Sequence, residues 1–162
     1  MSGWKVISIL LFLLLIALGC MSVSHKMDNK KDVSTYIESV NKWNKKQEEL
    51  QTEYKDKVLD ETDAKIALQK LSSIIDENES LIRRTQQFKT DYAELQVALV
   101  TYQQALHNIS DAYQDFYYAI DTNEETIVKD GKASLDKADD FFRSHEEQIV
   151  SLAKKNFIHL EE

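Results

Sequence analysis

Beyond residue 31 apolar side chains return every three or four positions, the period of a helix with one buried face. In the first stretch these are Val33, Tyr36, Ile37, Val40, Trp43, Leu50, Tyr54 and Val58, interrupted only by Gln47, and Asp32 or Ser34 is placed to cap it. The cluster Asp60-Glu-Thr-Asp63 supplies capping oxygens for a second helix, whose stripe is Ala64, Ala67, Leu68, Leu71, Ile74, Ile75, Leu81, Ile82 and Phe88. From Thr85 to Ile120 the heptad phase continues without a break, as one long helix would read. A helix over residues 63–121 would be roughly 88 Å long, however, and no other segment is long enough to cover it. Asp91 with Glu94 forms a capping box, which predicts a turn near Thr90; Thr122 with Glu125 forms another, opening a last helix with Ile127, Val128, Gly131, Leu135, Ala138, Phe142, Ile149, Leu152, Phe157 and Leu160 on its stripe. The pattern predicts an all-α, up-down-up-down four-helix bundle over residues 32–160, the alternative being a three-helix coiled coil with one long middle helix. Gly131 falls on the last stripe, where the expected reason for a glycine is close approach of a neighbouring helix.

Composition narrows the fold further. The 162 residues contain no proline and three glycines, of which Gly131 alone lies beyond the first 19, so turn-rich β folds and glycine-loop nucleotide folds are excluded. The net charge of −8 is unevenly spread: residues 91–122 hold five acids and no Lys or Arg, and no base occurs between Lys89 and Lys129. Nucleic-acid binding needs clustered bases, so no nucleic-acid partner is expected.

The chain begins with a different pattern. Lys5 precedes an apolar core, Val6–Gly19, which ends at the single cysteine, Cys20. This order of basic start, apolar run and small residue fits a secretory leader, and a lone cysteine there has no internal disulfide partner. The segment Ala17-Leu18-Gly19-Cys20 resembles the lipobox of bacterial lipoproteins. The resemblance implies cleavage behind Gly19, a diacylglycerol on Cys20, and a lipid-anchored protein on the extracytoplasmic face of the cell membrane. The other reading is an uncleaved anchor, since Val6 to Val23 is about long enough to span a bilayer as a helix. Residues 1–19 are thus a signal peptide or membrane anchor, and residues 20–31, polar and without periodicity, read as a tether. The run Gly131-Lys-Ala-Ser-Leu-Asp-Lys-Ala138 before Asp139-Asp-Phe-Phe142, taken with the leader, resembles small helical lipoproteins of bacilli described as cell-wall-binding. That resemblance implies a binding or structural role and carries no catalytic residues.

Candidate chemistry is sparse. Glu-x-x-His, which sets two metal ligands on one helix face, is missing: the residues three before His107, His145 and His159 are Gln104, Phe142 and Asn156. His145 lies on the apolar stripe and is expected as a hydrogen-bonded core residue. No nucleophile elbow or phosphate loop occurs, so the chain is expected to be non-enzymatic and to take no metal or cofactor. The unusual feature is Phe116-Tyr117-Tyr118, whose 100° steps turn Phe116 inward, Tyr117 to the core's edge and Tyr118 outward. With Asp111 and Asp115 beside them, Tyr117 and Tyr118 form a candidate docking face for a basic protein or peptide, unless the acids pair with Lys137 or Lys154. The competing function is that of an accessory or signalling subunit of a membrane complex, held by an uncleaved N-terminal helix.

Overall fold

The computed structural model describes the backbone of residues 3–160 and the side chains of residues 27–160. Four helices account for nearly all of it: α1 (Gly3–Tyr54), which ends in a π-helical turn over Lys55–Leu59, α2 (Ala64–Gln86), α3 (Ala93–Thr122) and α4 (Glu125–Lys155). Short connections make sequential neighbours antiparallel, and the helices pack as a bundle. The break between Gln86 and Ala93 excludes the long-middle-helix alternative.

The expected helix ends are met at one place and corrected at three. Asp63 caps α2 as its position suggested, with Oδ1 accepting from the backbone N–H of Lys65 (2.9 Å) and Ile66 (3.2 Å). At the other end of α1 neither Asp32 nor Ser34 is a cap. The helix runs through both, and residues 27–31, expected as tether, are helical: they contain no proline or glycine, and adding a turn to an existing helix requires no new nucleus. Asp32 instead accepts a hydrogen bond from the Thr90 hydroxyl at 2.6 Å, tying α1 to the α2–α3 turn. That turn does not use the Asp91–Glu94 box. Tyr92 is the N-cap residue, Thr90 Oγ1 accepts from its N–H (3.1 Å), and the Tyr92 hydroxyl donates to Glu94 (3.1 Å). The Thr122–Glu125 box is likewise unused, because Thr122 still belongs to α3 and its hydroxyl donates to the Tyr118 carbonyl (2.7 Å). Asn123, left-handed at φ 57°, ends α3, and the Glu124 N–H returns to the Ala119 carbonyl.

Two apolar clusters stack along the bundle. One holds Val33, Tyr36, Trp43, Leu81, Leu95, Tyr102, Leu106 and Ile149 near the α2–α3 turn; the other holds Leu50, Val58, Leu71, Ile74, Ile109, Tyr113, Phe116 and Ala138 toward the opposite end. The closest helix pair is α3 with α4. Its cause is a row of small residues at seven-residue spacing on α3, Ala98, Ala105, Ala112 and Ala119, all buried, together with the small buried residues Gly131 and Ala138 of α4. Gly131 is where that approach is tightest, since a Cβ there would lie 2.5 Å from Phe116 Cε1.

Candidate functional site

The acidic and aromatic face of α3 takes the arrangement its spacing implies. Phe116 is buried, Tyr117 packs partly buried against the second cluster, and Tyr118 is 56% exposed. The Tyr117 and Tyr118 rings stand edge to face, 6.1 Å apart. Asp111 is exposed and Asp115 half-buried. Burial raises the Asp115 carboxyl above its ordinary value, and the neighbouring charges of Asp130 and Asp111 raise it further. Among the described residues neither Asp111 nor Asp115 forms an ion pair, so pairing with Lys137 or Lys154 does not occur there. Asp130, from α4, extends the negative patch beyond what α3 alone supplies. Arg83, from α2, limits it on the other side: it shares a shallow hollow of about 270 Å³ with Asp111, His107 and Gln114. A count along the sequence sees α3 in isolation and misses both additions.

A larger surface feature, not foreseen in the sequence, is the groove between α1 and α4, of about 1060 Å³. Ile37, Phe142, Ile149, Val150, Ile158 and Leu160 supply its apolar lining, and Glu38, Asp139 and Glu146 line it with carboxylates. The one arginine of the groove, Arg143, lies 3.5 Å from the Asp140 carboxylate. The C-terminal segment, residues 158–160, contributes to its lining. Phe157 is left-handed (φ 55°), which sends the Ile158 N–H back to the Ala153 carbonyl (2.9 Å) and packs Ile158 against the first cluster, while Phe157 itself is 85% exposed.

Beneath this groove α1 is joined to its partners by two hydrogen bonds. His145 Nε2 and Tyr36 Oη are 3.0 Å apart, and the Tyr102 hydroxyl donates to Asn44 Oδ1 at 2.8 Å. His145 is 4% exposed, with the Tyr102 ring 5.0 Å and the Tyr36 ring 5.8 Å from its own. Burial among these rings pushes its imidazole down to about pKa 4, so it is neutral near pH 7; burial raises the Tyr36 and Tyr102 hydroxyls. His145 is therefore the hydrogen-bonded core residue its stripe position implies.

Among the described residues no three His, Cys, Asp or Glu side chains converge as a metal ion would require. No helix among them is long and apolar enough to cross a membrane; the apolar run of residues 6–23 and the Cys20 side chain lie outside the described side chains. Comparison of the chain with protein-family models, with curated proteins and with solved structures finds no match. The reading of function rests on the chain's own residues.

Proposed function

We propose that the protein is a membrane-tethered helical-bundle lipoprotein of the bacterial envelope, held on the extracytoplasmic face through an acylated Cys20. It acts there as a non-enzymatic binding or structural module. The observation that carries this reading is the position of Cys20, the only thiol in the chain, at the end of the apolar run and a short distance before Val33, the first fully buried side chain of the bundle. A domain so close to its anchor works at the membrane surface, and the face it offers to a basic protein or peptide segment is Asp111, Asp115, Tyr117 and Tyr118. The intact mass of the protein extracted from membranes tests the anchor. A chain beginning at Cys20 and carrying acyl mass supports the reading; a chain beginning at Met1 with no added mass defeats it.

The unbroken course of α1 from Gly3 to Tyr54 favours a second reading, in which the leader is retained and the protein is an accessory or signalling subunit. A helix continuous from an uncleaved anchor into a bundle transmits rotation or tilt directly. Recovery of the uncleaved chain with a membrane-protein partner in fixed ratio would support that reading over the first.

A further inference from the structure

The two apolar clusters are separated by a polar layer. On α1 the first cluster ends at Trp43 and the second begins at Leu50, with Gln47 between; on α2 they end at Leu81 and begin at Ile74, with Asn78 between. The ion pair between the Lys46 ammonium and the Glu77 carboxylate sets residues 46 and 77 side by side across the α1–α2 seam. Gln47 and Asn78 each fill the gap between the two clusters on their own helix, and both are buried, at 4% and 0% exposure. Asn78 Nδ2 donates to the Leu106 carbonyl of α3 at 3.2 Å. Asn78 Oδ1 and both amide atoms of Gln47 have no protein partner.

Buried amides of this kind weaken a core that leucine would fill, and the return for that loss is a single way of pairing. The α1–α2 hairpin needs such a device. Its stripes repeat every heptad, its turn contains neither proline nor glycine, and slipping α1 by one heptad moves the turn by only about half that length. Slipped by one heptad in one sense, the hairpin would set Gln47 against Leu71 and Asn78 against Val40, stranding both amides among aliphatic side chains; in the other sense it would set them against Thr85 and Tyr54. In the native register both amides lie at the break between the two apolar clusters, where Asn78 Nδ2 reaches the Leu106 carbonyl and the Gln47 amide faces no aliphatic layer.

We propose that Gln47 and Asn78 are a register lock, a polar layer that fixes α1 in one alignment against α2 and so sets the height at which the bundle stands above its N-terminal segment. One heptad of slip would change that height by about 10 Å at 1.5 Å per residue.

Disulfide trapping in the full chain, with Cys20→Ser to leave no other thiol, reads the register. Lys46→Cys with Glu77→Cys reports the native alignment. Lys46→Cys with Lys70→Cys, and Lys46→Cys with Arg84→Cys, report slips of one heptad in either sense, because in the native alignment those pairs are too far apart to bridge. Only the first pair should close when the layer is intact. In a Gln47→Leu/Asn78→Leu background the denaturation midpoint should rise and an off-register pair should close as well. The exchange Gln47→Asn/Asn78→Gln, which keeps the amides and swaps their helices, should restore exclusive native closure. The proposal is overturned if the double-leucine chain closes only the native pair, if it is less stable or fails to fold, or if the amide exchange slips too.

Discussion

The seams that α4 makes with its two neighbours differ in kind. Against α3 it presents Gly131 and Ala138 to the alanine row Ala98, Ala105, Ala112 and Ala119, and the backbones come close. Against α1 it presents His145, hydrogen-bonded to Tyr36, beside a groove of about 1060 Å³ that Phe142 and Ile149 help to line. A seam of small residues has no slack, because neighbouring backbones cannot yield as a side chain does. A seam of rings joined by hydrogen bonds tolerates added volume but depends on the protonation of its polar members. One helix thus belongs to a rigid pair on one side and to a chemically sensitive contact on the other.

The largest effect that separates the seams is volume. Ala112→Leu, at a fully buried position of the α3 row, is expected to cost about 3 kcal/mol or more, the upper part of the range for overpacking. Val150→Phe, which adds bulk at the groove, is expected to stay within about 0.5 kcal/mol. Urea unfolding of the two variants measures the contrast, and equal losses would dissolve it.

Acid acts on the other seam. The unfolded chain binds a proton at a histidine near pH 6.5, whereas folded His145 does not until about pH 4. Protons therefore favour unfolding over that window: the stability is fully present above pH 6.5 and falls as pH drops toward 4. The loss is about 3 kcal/mol, at 1.36 kcal/mol per pH unit of difference. Titrating carboxylates add to acid sensitivity, so the measured quantity is the difference between the parent and His145→Phe. That difference should change with pH between 6.5 and 4 and be flat above it; a pH-independent difference would show that His145 is not kept neutral by burial.

Gly131→Ala probes the tight seam more gently. Alanine gains about 1 kcal/mol over glycine in helix propensity. The new methyl would, however, meet the Phe116 ring at 2.5 Å, an overlap of the kind that costs about 1–3 kcal/mol. The expected net loss is about 1 kcal/mol, and Phe116→Leu in the same chain should remove most of the overlap. A double-mutant cycle measures the coupling, and a stabilised Gly131→Ala with no coupling to Phe116 would refute the contact as the reason for the glycine.

Much of this was legible in the residue pattern. The apolar stripes gave the four helices, Asp63 its cap, His145 its place in the core, and Gly131 its close contact, because each depends on a local period or a local steric need. The helix starts near residues 91 and 122 were misplaced because a capping box is a permissive signal: Tyr92 rather than Asp91 takes the cap position, and the Thr122 hydroxyl bonds the Tyr118 carbonyl inside α3; the start at residue 32 was misplaced because α1 continues upstream of it. The alanine heptad of α3 was present in the sequence but hidden behind the larger Leu and Tyr stripe beside it. The α1–α4 groove had no linear signature, since it arises from side-chain size on two helices distant in sequence. Arg83 and Asp130, which bound the acidic face, are likewise joined to it only by packing.

The smallest expected effect concerns that face, and it bears on the proposed function more than on the fold. Among the described residues Asp111 and Asp115 make no ion pair, and burial, with the like charges of Asp130 and Asp111 added to it, disfavours the Asp115 carboxylate. Removing one charge should relieve the repulsion, so Asp115→Asn is expected to leave the domain slightly more stable, by a few tenths of a kcal/mol at this partly exposed site. Reversal of both acids, Asp111→Lys with Asp115→Lys, together with Tyr118→Ser, should abolish capture of a basic partner from membrane extracts while helix content and unfolding midpoint change little. Unchanged capture by the folded triple variant, or a large loss of stability from Asp115→Asn, would assign these side chains to packing and solvation instead.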